Sequence, residues 1–248
     1  PCDDGDPSTL QDVVDENCIC TGTPMVTSFP YSQDFDSLSG FSGTYSGRNR
    51  WVRSSAIGNP APSLYITNEE AIYHIPDSSY AYHYDDMFLY DQTNAVVYKA
   101  ISFPATADSL LLSFDWMCLG NVTDRLRVGL LPFVHNPSPN AIYNSDFANV
   151  SGDLYGQTSW THAIFTLPAS FIGQTAWLMF DWYNEVGGAV QPPAAVDNIQ
   201  ICAHNTWYGD ADGDGFGDPA VVTTTCGYQQ PTGYVANALD DCPTLPGR

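Results

Sequence analysis

The sequence predicts an all-β fold: a jelly-roll sandwich with small calcium- and disulfide-stabilised modules at both ends. Three observations carry this expectation. Short apolar runs in residues 25–202 alternate with period two and are separated by Pro, Gly, Asn and Asp, and no stretch combines a 3.6-residue apolar period with helix caps. Two of these runs repeat one another. Both ends of the chain are short, acidic and cysteine-bearing.

The N-terminal module is expected over 1–24. It carries six carboxylates and no Lys or Arg. Its "CDDGDPSTLQDVVDENCIC" (2–20) holds an Asp-Gly-Asp turn followed by Asp12. Asp3, Asp4, Asp6 and Asp12 are the candidate calcium ligands, and the competing reading is a loop fixed by one disulfide alone. Such short modules bury too little apolar surface to fold unaided, so disulfides or metal are the usual remedy.

The sandwich is expected over 25–202. In "SLLLSFDWM" (109–117), Leu110, Leu112, Phe114 and Trp116 share one face. In "AWLMFDWYN" (176–184), Ala176, Leu178, Phe180 and Trp182 do the same. The longer segments "FPATADSLLLSFDW" (103–116) and "LPASFIGQTAWLMFDW" (167–182) match, with two extra residues in the second turn. Pseudo-symmetric strands of this kind suit two packed sheets. Asp115 and Asp181 fall opposite the apolar face and are expected in solvent. In "YHIPDSSYAYHYDDMFLY" (73–90), Tyr80, Tyr82 and Tyr84 alternate onto one side. They are candidates for stacking on sugar rings, against the competing reading of an aromatic cross-strand ladder or subunit contact.

The C-terminal module is expected over 203–248. "DADGDGFGD" (210–218) places Asp210, Asp212 and Asp214 at alternate positions, the spacing that lets successive side chains face one ion. Gly215 follows where a sharp turn is needed, Phe216 offers its carbonyl and Asp218 comes next. Val221 stands where an EF-hand supplies a bidentate Glu, and no helix pattern flanks the loop, so an EF-hand is not expected. Without an ion, four aspartates within nine residues would repel one another.

Composition excludes other classes. Twenty-eight acidic residues against seven basic ones give a net charge of −21, which disfavours nucleic acid and anionic membrane as partners. No run of about 18 apolar residues spans a membrane. The chain opens on "PCDDGDP" without a signal peptide and reads as a mature or excised segment. Cysteine usage points to an oxidising, extracellular setting. No P-loop, nucleophile elbow, HExxH or zinc-spaced CxxC pair occurs, and the histidines are scattered; only His83 beside Asp85 and Asp86 is suggestive of chemistry. No enzyme is expected. "NVT" (121–123) and "NVS" (149–151) are glycosylation sequons, and "DSL" at 36–38 and 108–110 resembles a bacterial O-glycosylation pattern.

The segments "YSQDFDSLSGF" (31–41), "WVRSS" (51–55), "ISFPATADSLLLSFDW" (101–116) and "PPAAVDNIQI" (192–201) resemble bacterial MAM-like jelly rolls. The relatives are the cleaved-adhesin and choice-of-anchor J domains of secreted bacterial surface proteins, and the likeness covers most of 28–202. It implies a further calcium between the first acidic strand and the last strand, at Asp34 or Asp36 with Asp197. Termination of a strand by Asp197 and Asn198 is the alternative.

The tail is similar to a thrombospondin type-3 repeat, in which aspartate loops alternate with disulfides. "LDDCPTLPG" (239–247) resembles the start of such a repeat, so Asp240 or Asp241 would complete the shell. The N-terminal module is similar to cysteine-rich modules of the same secreted proteins. The cysteine pairing stays open; Cys226–Cys242, which bracket "GYQQPTGYVANALDD", and Cys2–Cys18 are the favoured bridges. Cys20 and Cys202, flanking the jelly roll, are candidates for a third, which leaves Cys118 free and buried.

Joining Arg248 to Pro1 gives "DDCPTLPGRPCDDGDPSTLQDVV", which reads as one unbroken module. The expected role is therefore a calcium-binding surface adhesin, or one unit of a tandem array or filament assembled head to tail from copies of itself. Secretion would follow a bacterial surface route of the type IX kind. The alternative is a carbohydrate-binding module of a secreted enzyme, with a surface glycan or protein receptor as partner.

Overall fold

A computed structural model describes the chain except residues 1, 16, 38–39, 48, 69–79, 83–92, 186–189 and 246–248. Its strands are β1 (Thr9–Val14), β2 (Cys20–Val26), β3 (Tyr31–Gln33), β4 (Ser42–Ser46), β5 (Arg50–Ser54), β6 (Ser63–Thr67), β7 (Thr93–Ser102) and β8 (Ser109–Cys118). There follow β9 (Asp124–Pro132), β10 (Ala148–Asn149), β11 (Gln157–Thr166), β12 (Thr175–Asn184), β13 (Ala195–Gly209), β14 (Asp218–Cys226) and β15 (Tyr234–Val235).

They form two sheets. One runs β1-β2-β7-β12-β9-β10, with β4 also paired to β7. The other runs β11-β8-β13-β6-β5, and β3, β14 and β15 add to β13. Pairing is antiparallel except between β2 and β7. The fold is thus the expected all-β sandwich.

Period-two alternation places the core between the sheets. Leu110, Leu112, Phe114 and Trp116 of β8 meet Ala176, Leu178, Phe180 and Trp182 of β12 in one buried cluster. Phe114 and Phe180, equivalent residues of the two matching segments, touch edge-on with ring centroids 5.3 Å apart. Each fully buried large side chain of this kind contributes about 1.5–3 kcal/mol by leaving water.

The outer face of β12 is buried as well. Residues 133–147 fold over it, so that Trp177 stacks on Phe133 at 4.6 Å and Met179 lies in the same cluster as Ala141 and Phe147. Asp181, expected in solvent, is therefore fully buried beneath this layer, and neither of its oxygens has a hydrogen-bond partner. Burial pushes its carboxyl up to about 8, against the pull of Arg127 and Arg125.

The end segments belong to the sheets. β2 runs through residue 24 and joins β7 at Met25 and Val26. β13 runs through residue 202 and then pairs with β14 from His204 to Gly209.

Candidate metal centre

The strands β13 and β14 are joined by the loop 210–217, and the loop's own side chains shape it. Asp210 accepts hydrogen bonds from the backbone of Gly213 (2.9 Å) and Gly215 (3.2 Å). Asp212 accepts from Asp214 N (3.3 Å), and Asp214 from Phe216 N (2.9 Å). Gly213 and Gly215 have φ of +79° and +88°, a region that only glycine enters without strain. The chain thus winds tightly enough for alternate carboxylates to converge. One oxygen from each of Asp210, Asp212 and Asp214 lies within 4.8 Å of the others. Two oxygens on opposite sides of a calcium ion stand about 4.8 Å apart, so this spacing fits a single shell.

Asp240 comes near the group from a distant segment, and its charge acts on Asp212. Its backbone N–H donates to Gly217 O (3.1 Å), and Asn237 grips the same loop by donating from Nδ2 to Gly215 O (3.0 Å). Asp240 is only 3% exposed. Its Oδ1 accepts from Cys242 N at 2.7 Å, while its Oδ2 is enclosed without a donor. Oδ2 of Asp212 is also enclosed and unpartnered. Enclosure raises the pKa of Asp212, and the negative charges of Asp214, Asp240 and Asp210 raise it further. Orphaned carboxylate oxygens facing like charges are what a hard divalent cation would satisfy. Asp241 is exposed, and Asp218 starts β14 and holds Ala220 N at 2.7 Å.

The N-terminal cluster is shallower. Asp3, Asp4 and Asp12 bring one oxygen each within 4.8 Å, whereas Asp6 is spent on Ser8, whose N and Oγ both donate to its Oδ1. Asp4 already accepts from Asp6 N, Thr9 Oγ1 and Gly22 N, and these bonds hold its carboxyl below the usual range, the one from Asp6 foremost. Oδ1 of Asp12 is enclosed without a donor.

At the third expected site, β13 shifts register between Asp197 and Gln200, and Asn198 adopts φ +49°. Asp197 is fully buried but both oxygens are engaged, by Asn59 N (2.7 Å) and Asn198 N (2.8 Å). Burial pushes its carboxyl up to about 6, and the charges of Asp115 and Asp34 add to this. Asp34 is thus the acidic neighbour of Asp197; Asp36 is exposed, and its carbonyl takes Arg53 Nη2 at 2.7 Å. Asp115, expected in solvent, is held by His162 Nδ1 (2.7 Å), Asn59 Nδ2 (3.0 Å) and Asn198 Nδ2 (2.9 Å).

Two of the three candidate sugar-stacking tyrosines face inward, which corrects that expectation. Tyr82 is buried edge-on against Trp182 (4.8 Å), donates to Asp124 Oδ2 (3.2 Å) and accepts from Val190 N (2.9 Å). Tyr80 packs edge-on against Tyr65 and donates to Pro193 O at 2.7 Å. Burial raises the pKa of both hydroxyls. The run 80–82 packs beneath 190–193 instead of forming an open ladder. Tyr84, with His83, Asp85 and Asp86, lies outside the described residues.

The cysteine pairing also differs from expectation. The bridges are Cys2–Cys20 and Cys202–Cys226, not Cys2–Cys18, Cys20–Cys202 or Cys226–Cys242. Strand register decides this. Cys226 at the end of β14 pairs with His204, which sets it beside Cys202 on β13. Cys20 opens β2, across the hairpin from Val14, while Cys18 sits in the exposed turn before it. Cys118 is reduced and buried, and burial pushes its thiol up to about 12.

No protein-family model matches the chain, and no curated protein matches its sequence. Among solved structures, the K1 cleaved adhesin domain of Lys-gingipain from Porphyromonas gingivalis W83 is 13% identical, with 70% of this chain and 97% of that one covered at a TM-score of 0.44. The CBM22-1 xylan-binding domain of Paenibacillus barcinonensis Xyn10C is 9% identical, covering 71% and 95% at 0.42. TmCBM61, solved with β-1,4-galactotriose, is 9% identical, covering 68% and 92% at 0.39. The likeness is one of β-sandwich architecture.

Proposed function

We propose that this chain is a calcium-stabilised, non-enzymatic extracellular protein that serves as a surface adhesin or as a structural unit assembled head to tail. The observation that carries the reading is the convergence of Asp210, Asp212 and Asp214, with the charge of buried Asp240 acting on Asp212 and Oδ2 of both Asp212 and Asp240 left without a donor. Calcium bound there would tie the loop after β13 to the segment before Cys242 and stiffen a part of the chain with little core of its own. Asp3, Asp4 and Asp12 are a second candidate calcium site. The two disulfides fit an oxidising compartment. No helix among the described residues is long and apolar enough to cross a membrane.

The glycan-binding alternative loses Tyr80 and Tyr82 as an exposed platform, so it is the weaker reading. The test is a calcium titration by calorimetry, followed by electron microscopy with and without chelator. Saturable calcium binding and chelator-sensitive assemblies support the proposal. A protein that takes up no calcium overturns it.

A further inference from the structure

β8 pairs with β13 as far as His204, and β14 pairs with it from His204 onward. A cavity of about 270 Å³ lies at this changeover between sandwich and tail. The turn that precedes β8 supplies Thr106 and Asp108 to its lining. That turn is laid against β13, because Asp108 N donates to His204 O (2.8 Å) and Thr206 N donates to Asp108 Oδ2 (2.6 Å). Alternation along β13 puts Asn205 and Trp207 on one face, and both line the cavity. Tyr228, two residues past β14, joins them.

Tyr228 is 64% exposed, yet its backbone is pinned. The Cys202–Cys226 bridge precedes it, and Gly227 N donates to Ala203 O at 2.8 Å. Gly227 O accepts from Asn205 Nδ2 (3.1 Å) and Thr225 Oγ1 (3.2 Å). The Tyr228 ring centroid lies 5.7 Å from that of Trp207, with the rings tilted by 55°. Trp207 is locked in turn, since its Nε1 donates to Thr225 Oγ1 at 2.8 Å. An aromatic ring anchored in this way has met much of its ordering cost before any ligand arrives.

The polar lining has unused capacity. Oδ2 of Asp108 is engaged by Thr206 N, while its Oδ1 receives no donor from the described residues. Thr106 adds a hydroxyl, and no basic side chain lines the cavity among those residues. A net charge of −21 further disfavours an anion. Ala236 is the single aliphatic side chain of the described lining, too little for an apolar peptide side chain. A sugar ring has the matching chemistry: a C–H face for the aromatic ring and hydroxyls at its edge for the carboxylate.

We infer that this cavity binds a neutral sugar ring of a glycan, stacked on Tyr228 with one hydroxyl donating to Asp108 Oδ1. This rests on the adhesin reading above and names the receptor class, at a place separate from Tyr80 and Tyr82.

The test uses the full chain with calcium on an array of glycans, followed by calorimetry with the hits. The array carries glucose, galactose, mannose and N-acetylglucosamine glycosides, their oligosaccharides, and glycans ending in uronic or sialic acid. Neutral glycans should bind saturably and acidic ones should not. Tyr228→Ala should weaken binding at least about tenfold, while Tyr228→Phe keeps it within about twofold, because the ring and not the hydroxyl does the stacking. Asp108→Asn should also weaken it at least about tenfold, since an amide that keeps its oxygen on Thr206 N turns a donor toward the sugar hydroxyl. All three variants should melt with wild type.

An array with no neutral hit would overturn the inference, as would binding that survives both Tyr228→Ala and Asp108→Asn, or a preference for acidic glycans. Peptides from a random library that bind in place of glycans and are lost in the same variants would make the cavity a peptide site and overturn it too. If glycan binding fails while calcium is still taken up, this inference falls and the calcium-stabilised reading stands.

Discussion

Asp240 and Asp212 each enclose one carboxylate oxygen that receives no hydrogen bond, and the charge of the first raises the pKa of the second. Two such groups repel unless a cation lies between them. Asp240→Asn should therefore weaken calcium binding by at least about tenfold, close to the cost of one charge-assisted contact. Free calcium at a hundred times its Kd should stabilise the native protein by about 2.7 kcal/mol, which a chelator removes. Calorimetry and thermal melts read both quantities. An unchanged melting curve in chelator would exclude the ion.

Asp181 makes stability depend on pH. Its folded pKa is raised to about 8 from 3.8, so between those values the native state holds a proton that the unfolded chain has released. Stability from this group is complete below pH 3.8 and is lost as pH rises through 8. Asp181→Asn should remove the loss. Its advantage over wild type should grow between pH 4.5 and 8.5 by at least about 1.4 kcal/mol, the worth of one pKa unit. A difference independent of pH would contradict a protonated buried carboxyl.

Tyr82 anchors the segment before residue 83 through its hydroxyl, which bonds Asp124 and Val190. Tyr82→Phe should cost about 1–3 kcal/mol in denaturant melts, because it leaves a buried acceptor on Asp124 without its donor. Binding to any surface ligand should be unaffected. A loss of glycan binding at unchanged stability would restore the stacking role.

The bridges separate Cys226 from Cys242. Cys226→Ser should cost about 2–5 kcal/mol through loss of its bond to Cys202, whereas Cys242→Ser in monomeric protein should stay within about 0.5 kcal/mol. Equal costs would indicate a Cys226–Cys242 bridge.

Much of this was legible from residue order. Alternation in 109–117 and 176–184 assigned Leu112, Phe114, Leu178 and Phe180 to the core because side chains on a strand must alternate. The convergence of Asp210, Asp212 and Asp214 followed from spacing and from glycine at 213 and 215. The position of Asp181 was not legible, because a two-faced strand reads as half-exposed until residues 133–147 are folded over its outer side. The bridges were missed for a related reason. Cys202 lies inside a strand that continues beyond it, and only the register of β14 on β13 brings Cys226 alongside. Tyr80 and Tyr82 alternate as a surface ladder would, but they are turned inward by their bonds to Pro193 and Asp124.

β13 extends for fifteen residues from the sandwich into the tail, flanked by β8, β6 and β3 in one half and by β14 and β15 in the other. A pull on the tail is thereby delivered along the axis of a central strand. The Cys202–Cys226 bridge ties the end of β14 to that same strand covalently. With no loop between the two halves to act as a slack joint, tension entering at the acidic end reaches the middle of the sandwich directly.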